Sequence, residues 1–413
     1  MSKYKGQKFL ICQPILGELN GSTMATLEIS EYLISEGANV SVFSYYIDNP
    51  AKAIFEEAGV RLIDYKANEK LKTAQFDYIW IHSQTIPPSI VEELKEKKQP
   101  KAKFIFLHMA AVFYIPDERP YIYQLEQKIS DKTLFISEEV EEVNMPFFTK
   151  RLDYGFFRNP APKEFVFQRR LSQACKKVLV VSSHPPKEVI EARDLARRQG
   201  IEIELIGEGQ QQYHRITPAD LKQYDAVITI GKTVQYCFMS GTPVYVYDMH
   251  GGPGWLNHEN LSGAKERNFS GRGFSSKTAE QIVNELASEY DEAQKFYAEM
   301  MEQFREEYEL ESTLDGVLAS VKKRKTETFT EDYVLAVKES LMFTSIRFNL
   351  NVEIKRLKEQ NEELKEQNAK LKEQNAGLEA EVKRAKDAIK EITSARSYRA
   401  MVKIMHVIHR KKS

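Results

Sequence analysis

The chain has 413 residues, 42 % hydrophobic and 29 % charged, a length and balance that suit a soluble protein of two domains with an appendage rather than one core. A formal net charge of −1 excludes any global pull toward nucleic acid. Three scattered cysteines (Cys12, Cys175, Cys237) with no CxxC pair argue against zinc and disulfide frameworks, and no window reaches the ~20 apolar residues needed to span a bilayer.

The opening stretch, MSKYKGQKFLICQPI, holds too short an apolar run for a signal peptide, so a cytoplasmic protein is expected. Short apolar runs then alternate with helical patterns. KFLICQPI, ANVSVFSYY, FDYIWIHS, AKFIFLHM and KTLFIS have the length and residue types of buried strands. GSTMATLEISEYLISEG and PPSIVEELKEKK between them have those of helices, and such alternation predicts a parallel sheet covered on both faces. DYGFFRNPAPKEF, with two prolines and little periodicity, reads as a connection between domains.

The alternation restarts with KKVLVVSSH, IEIELIGEG, DAVITIG and TPVYVYD as strands and PKEVIEARDLARRQG as a helix. The expected fold is α/β: two Rossmann-like domains facing a cleft, over residues 1–158 and 159–325. After Lys325 a helix runs into heptads, over 326–395. Leu357, Leu364, Leu371 and Leu378 stand at d, and Ile354, Asn361, Asn368, Asn375, Val382 and Ile389 at a. Asparagines at a satisfy each other across two strands and set register, which predicts self-association as a parallel homodimer; a lone solvated helix and an antiparallel hairpin with a partner stay open.

The tail, 396–413, carries Arg396, Arg399, Lys403, Arg410, Lys411 and Lys412 with no acid after Glu391. Met401, Ile404, Met405 and Ile408 recur on one helical face. Such a basic amphipathic helix fits an anionic membrane surface, and a tail packed on its own dimer is the plainer alternative.

Strand-to-helix turns are where chemistry is expected. Gly231-Lys232-Thr233 ends an apolar run, but a Walker A loop needs a glycine where Ala226 stands. What remains is a glycine that admits close approach, Thr233 placed to cap the next helix, and helix-start N–H groups with Lys232 beside them to favour phosphate. Gly17, Asn20, Gly21 and Ser22 form a similar turn after the first strand, and two such turns imply a ligand gripped in the cleft. His250 and His258 lack the spacing of a helical metal site, and no metal or other cofactor is expected.

The order of these elements over residues 7–310 resembles a GT-B glycosyltransferase of the family 4 type, of bacterial surface polysaccharide assembly. GSTMATLEISEYLISEGANVSVFS, FDYIWIHS, FIFLHM and GTPVYVYDMHGGPGW carry the resemblance, and the SARSYR tail after a coiled coil is similar to tails on such enzymes. The resemblance implies that Gly21 and Ser22 approach the donor diphosphate, that His108 faces the donor sugar, and that His82 lies near the acceptor. It also places Gly231, Lys232 and Thr233 near the nucleotide phosphates, with Gly251 and Gly252 lining the cleft. Family members usually carry a glutamate pair, its second member where Tyr236 stands here next to Gln235. Lys187 or Lys232 would replace the usual diphosphate-binding Arg and Lys, with His184 at a rigid turn nearby.

The implied activity is transfer of a hexosyl group, without metal, from a nucleotide-sugar donor to a lipid-linked or growing polysaccharide acceptor at the inner face of the plasma membrane. The absent glutamate pair keeps open a catalytically inactive subunit that recruits a partner enzyme through its coiled coil. A sugar-nucleotide epimerase on the same scaffold has no use for the basic tail.

Overall fold

Apolar runs that are nearly unbroken, rather than alternating, belong to strands covered on both faces. The computed structural model, which describes residues 2–96, 99–112, 121–169, 172–207 and 212–411, places them in two sheets. Lys97 and Lys98 of one expected helix, Glu208 and Gly209 of one expected strand, and Lys412 of the tail lie outside the described residues.

The first sheet holds β1 (Lys8–Leu16), β2 (Asn39–Ile47), β3 (Arg61–Asp64), β4 (Tyr78–His82), β5 (Lys103–His108), β6 (Lys132–Phe135) and β7 (Tyr154–Phe156). Their order is β3-β2-β1-β4-β5-β6-β7, parallel throughout. Along β1, Phe9 and Ile11 enter one apolar cluster while Leu10 and Cys12 enter the other, so the strand is buried on both sides. The stretch expected as an interdomain connection begins with β7, paired to β6 in the register Thr133↔Tyr154. A three-residue strand containing a glycine shows no periodicity of its own; only the neighbouring edge of β6 makes it one.

The second sheet holds β8 (Lys177–Val181), β9 (Glu202–Ile206), β10 (Ala226–Thr229), β11 (Val244–Asp248) and β12 (Gly251–Trp255), in the order β12-β11-β10-β8-β9. All pairs are parallel except β11 with β12.

The chain crosses between the sheets twice, and the crossings bind each other. Ala161 N donates to Tyr308 O at 2.7 Å, and Leu310 N donates to Ala161 O at 2.9 Å. The helix Leu310–Ser320 that follows returns to the first sheet, where Leu310, Leu314 and Leu318 join Leu27 and Leu33 in one core. Phe329, Tyr333, Val334 and Val337 then pack on the opposite face. Residues that come last in the compact part of the chain thus complete the domain that comes first.

Met1–Arg347 forms one compact unit and Phe348–Ser413 a second. The helix Tyr333–Ser394 continues into the second unit and carries the heptads. Leu357, Leu364, Leu371 and Leu378 are 51–58 % exposed on it. Extended backbone at Ala395 (ψ 135°) ends that helix, and the helix Arg396–Arg410 follows.

Leu314 is fully buried among first-domain side chains. Its replacement by alanine is expected to cost about 3 kcal/mol, as buried leucines do, read as a lower urea midpoint. Unchanged stability would mean that the returning helix adds nothing to the first core.

Candidate functional site

Open parallel sheets bind ligands beyond their strand C-termini, at the point where strand order reverses. That point lies between β1 and β4 in the first sheet and between β8 and β10 in the second. The loops after β1, β8 and β10 wall a cleft of about 440 Å³, lined by Asn20, Gly21 and Ser22 on one side and Ser182, Ser183, Gly231, Lys232 and Thr233 on the other.

Each wall presents a helix start. Asn20 caps the helix Gly21–Ser35, its side chain accepting from Thr23 N at 3.0 Å. The helix Lys232–Ser240 begins after Gly231, whose φ of +56° and ψ of −131° L-residues rarely adopt, so this turn requires glycine. Thr233, expected as the cap, is instead the second helical residue, because the turn at Gly231 starts the helix earlier; no side chain caps it. First-turn N–H groups have no intrahelical acceptor, so both starts offer donors to an anion.

Lys232 behaves differently from the solvated lysine that its position suggests. It is buried, and its Nζ lies 2.6 Å from Glu28 Oε2 on the first-domain helix. It also donates to the carbonyls of Asn159 (3.4 Å) and Pro160, both on the first crossing between the sheets. The Tyr236 hydroxyl donates to Glu28 Oε1. Burial pushes the Glu28 carboxyl up and the Lys232 ammonium down from their ordinary values, each partly opposed by the other's charge.

A second pair lies beside the first. Arg215 grips Glu31 with two parallel bonds of 2.7 and 2.8 Å. Farther along, Tyr213 OH accepts from Leu19 N at 2.7 Å, and Arg272 reaches Glu139. Glu28, Glu31, Tyr213, Arg215 and Tyr236 escape a motif-based reading. One signal was available: Glu28 falls on the buried side of a helix otherwise occupied by small and apolar residues.

The cleft collects Gly21, Ser22, Gly231, Lys232 and Thr233 of the expected site residues. It does not collect the others. His108 is turned inward, its Nε2 3.1 Å from both oxygens of the buried Glu126, with its ring on Phe135. His82 is 1 % exposed and neither ring nitrogen has a partner, so burial lowers it to about 3. His184 is exposed beside Ser183 without lining the cleft. Lys187 points to solvent, 85 % exposed, and pairs with Glu191 one turn on.

Gln235 is buried, its amide nitrogen facing the carbonyls of Gly231 (2.7 Å) and Lys232 (3.0 Å) at the start of its own helix. Gly251 and Gly252, expected on a cleft loop, form the edge strand β12, and a Cβ at Gly252 would lie 2.1 Å from Val246 O. Their smallness serves strand packing. The imidazole that does line the cleft is His214, 3.2 Å from Asp220.

Two Rossmann-like domains meeting at their switch points define the fold of GT-B glycosyltransferases. Among solved structures, the chain is similar to Anabaena Alr3699/HepE in complex with UDP and glucose, at TM-score 0.51 and 11 % identity, covering 76 % of this chain and 100 % of that one. The same protein in complex with UDP-glucose gives TM-score 0.50 at 10 % identity, covering 76 % and 99 %. At such identities the likeness is one of fold. No protein-family model and no curated protein matches the sequence.

Since the folded state holds His82 neutral to about pH 3 while the unfolded chain takes up a proton near pH 6.5, stability falls as pH drops through that window. The slope is up to about 1.4 kcal/mol per pH unit. His82→Leu should lack this component in urea titrations between pH 7 and 4. Equal slopes would show that His82 is protonated without unfolding.

Proposed function

We propose that the chain is a nucleotide-sugar glycosyltransferase that transfers a hexosyl group, without metal, to a lipid-linked or growing polysaccharide acceptor. The supporting observation is that helix starts of both domains, Gly21 and Lys232, open on one cleft at the two switch points. In the reaction, the bond from the anomeric carbon to the diphosphate breaks and its electron pair leaves with the phosphate. The acceptor hydroxyl forms the new bond and gives up its proton to the departing diphosphate. The first-turn N–H groups at Ser22, Lys232 and Thr233, with the Lys232 charge, stabilise the departing diphosphate.

The inward turn of His82 and His108 favours a second reading, a subunit that binds nucleotide but transfers nothing and works through its helical extension. Calorimetry with UDP, GDP, CDP and TDP separates the cases. Saturable binding of one diphosphate, weakened about tenfold in Lys232→Met by loss of a charge-assisted bond, is the expected result. Binding without turnover of any sugar donor supports the second reading, and silence from all four removes the first.

The extension fits a peripheral enzyme of the inner membrane face. A parallel dimer through the heptads brings two basic tails together, and the apolar side chains Met401, Ile404, Met405 and Ile408 are exposed on the tail helix. Removing residues after Ala395 should abolish co-sedimentation with phosphatidylglycerol-rich vesicles, and added salt should weaken binding of the full chain. Undiminished binding of the shortened chain would refute the anchor.

A further inference from the structure

Among the described residues, the Lys and Arg side chains lining the cleft are Lys232 and Arg215, and each is already taken by an acid of the facing domain. Lys232 has three N–H donors; its Nζ donates to Asn159 O and Pro160 O and lies 2.6 Å from Glu28 Oε2. A ligand oxygen approaching this ammonium meets three oxygens already around it and competes with them. The two carbonyls belong to the backbone of the crossing, while Glu28 is a side chain on a rotatable stem.

We propose that Glu28 and Glu31 are built-in competitors for the anion site, carboxylates that hold Lys232 and Arg215 until a diphosphate takes those cations from them. The proposal rests on the nucleotide-diphosphate reading of the cleft and adds to it a charge requirement. A neutral ligand has nothing to offer in exchange for a carboxylate, whereas a diphosphate brings at least as much negative charge and more acceptor oxygens. Tyr236 makes the exchange feasible: its hydroxyl keeps one oxygen of Glu28 bonded after the other has lost Lys232. Burial already raises the Glu28 carboxyl, so a carboxyl that loses its cation there can take up a proton instead of standing as an unpaired charge.

The proposal inverts the usual sign of a mutation beside a binding site. Removing the negative charge should tighten anion binding, because the cation is released. Glu28→Gln keeps the shape and a hydrogen-bond acceptor; Glu31→Gln does the same at the less buried pair and serves if the first variant does not fold. Inorganic pyrophosphate and UDP are titrated calorimetrically into wild type and both variants at low ionic strength, with circular dichroism to establish folding. Each variant is expected to bind pyrophosphate about tenfold more tightly, the weight of one charge-assisted bond.

Unchanged or weaker pyrophosphate binding in folded variants overturns the proposal and makes the acids purely structural ties. If UDP binds wild type and neither variant gains, the competitor falls and the nucleotide reading stands. If pyrophosphate tightens while UDP binds nothing, the competitor stands and the reading of a uridine donor falls. If neither ligand binds any of the proteins, the anion site itself is refuted.

Discussion

The ion pair between Glu28 and Lys232 is the constraint from which the rest of the cleft follows. Taking both charges out of water costs several kcal/mol per ion, and their attraction offsets that only when every remaining donor and lone pair is met. Groups from three places surround the pair: Tyr236 on the second-domain helix, the carbonyls of Asn159 and Pro160 on the crossing, and Glu28 itself on the first-domain helix. The pair ties the first-domain helix to the second-domain helix and, through Lys232, to the crossing between the sheets.

Once that docking is set, the chemistry of the cleft is largely backbone chemistry. Two helix starts line it, each preceded by a turn with glycine or asparagine, and such starts offer N–H donors to an anion. The side chains that seemed best suited to acid–base work are held elsewhere. His108 serves a buried network with Glu126 and Thr133, and His82 stays neutral in the core. Such a site is suited to binding an anion through backbone N–H groups.

The path of the chain reinforces the same geometry. After the second sheet it returns, bonding to the first crossing at Ala161, and buries Leu310, Leu314 and Leu318 in the first core. The crossing that supplies two carbonyl partners of Lys232 is thus itself pinned by the returning segment. The helical unit beyond, Phe348–Ser413, keeps its apolar stripes exposed along both of its helices.

Sequence by itself determined what each segment does with its own residues. Largely apolar runs such as KFLICQPI became central strands, since burial on both faces favours apolar side chains and admits a polar one such as Gln13 only where it is hydrogen-bonded. Gly231 was legible as a glycine ending an apolar run, its positive φ being added by the structure, and the heptad leucines because their spacing matches one face of a helix. What only the tertiary structure decided are the relations between segments. β7 exists because β6 offers it an edge, and β12 takes up the glycines that looked like a cleft loop. Glu28 meets Tyr236 across 208 positions of chain, and no local pattern records such a meeting. The periodicity of a segment reports how its own surface divides between core and water; which charge faces which is settled only when two finished surfaces are brought together.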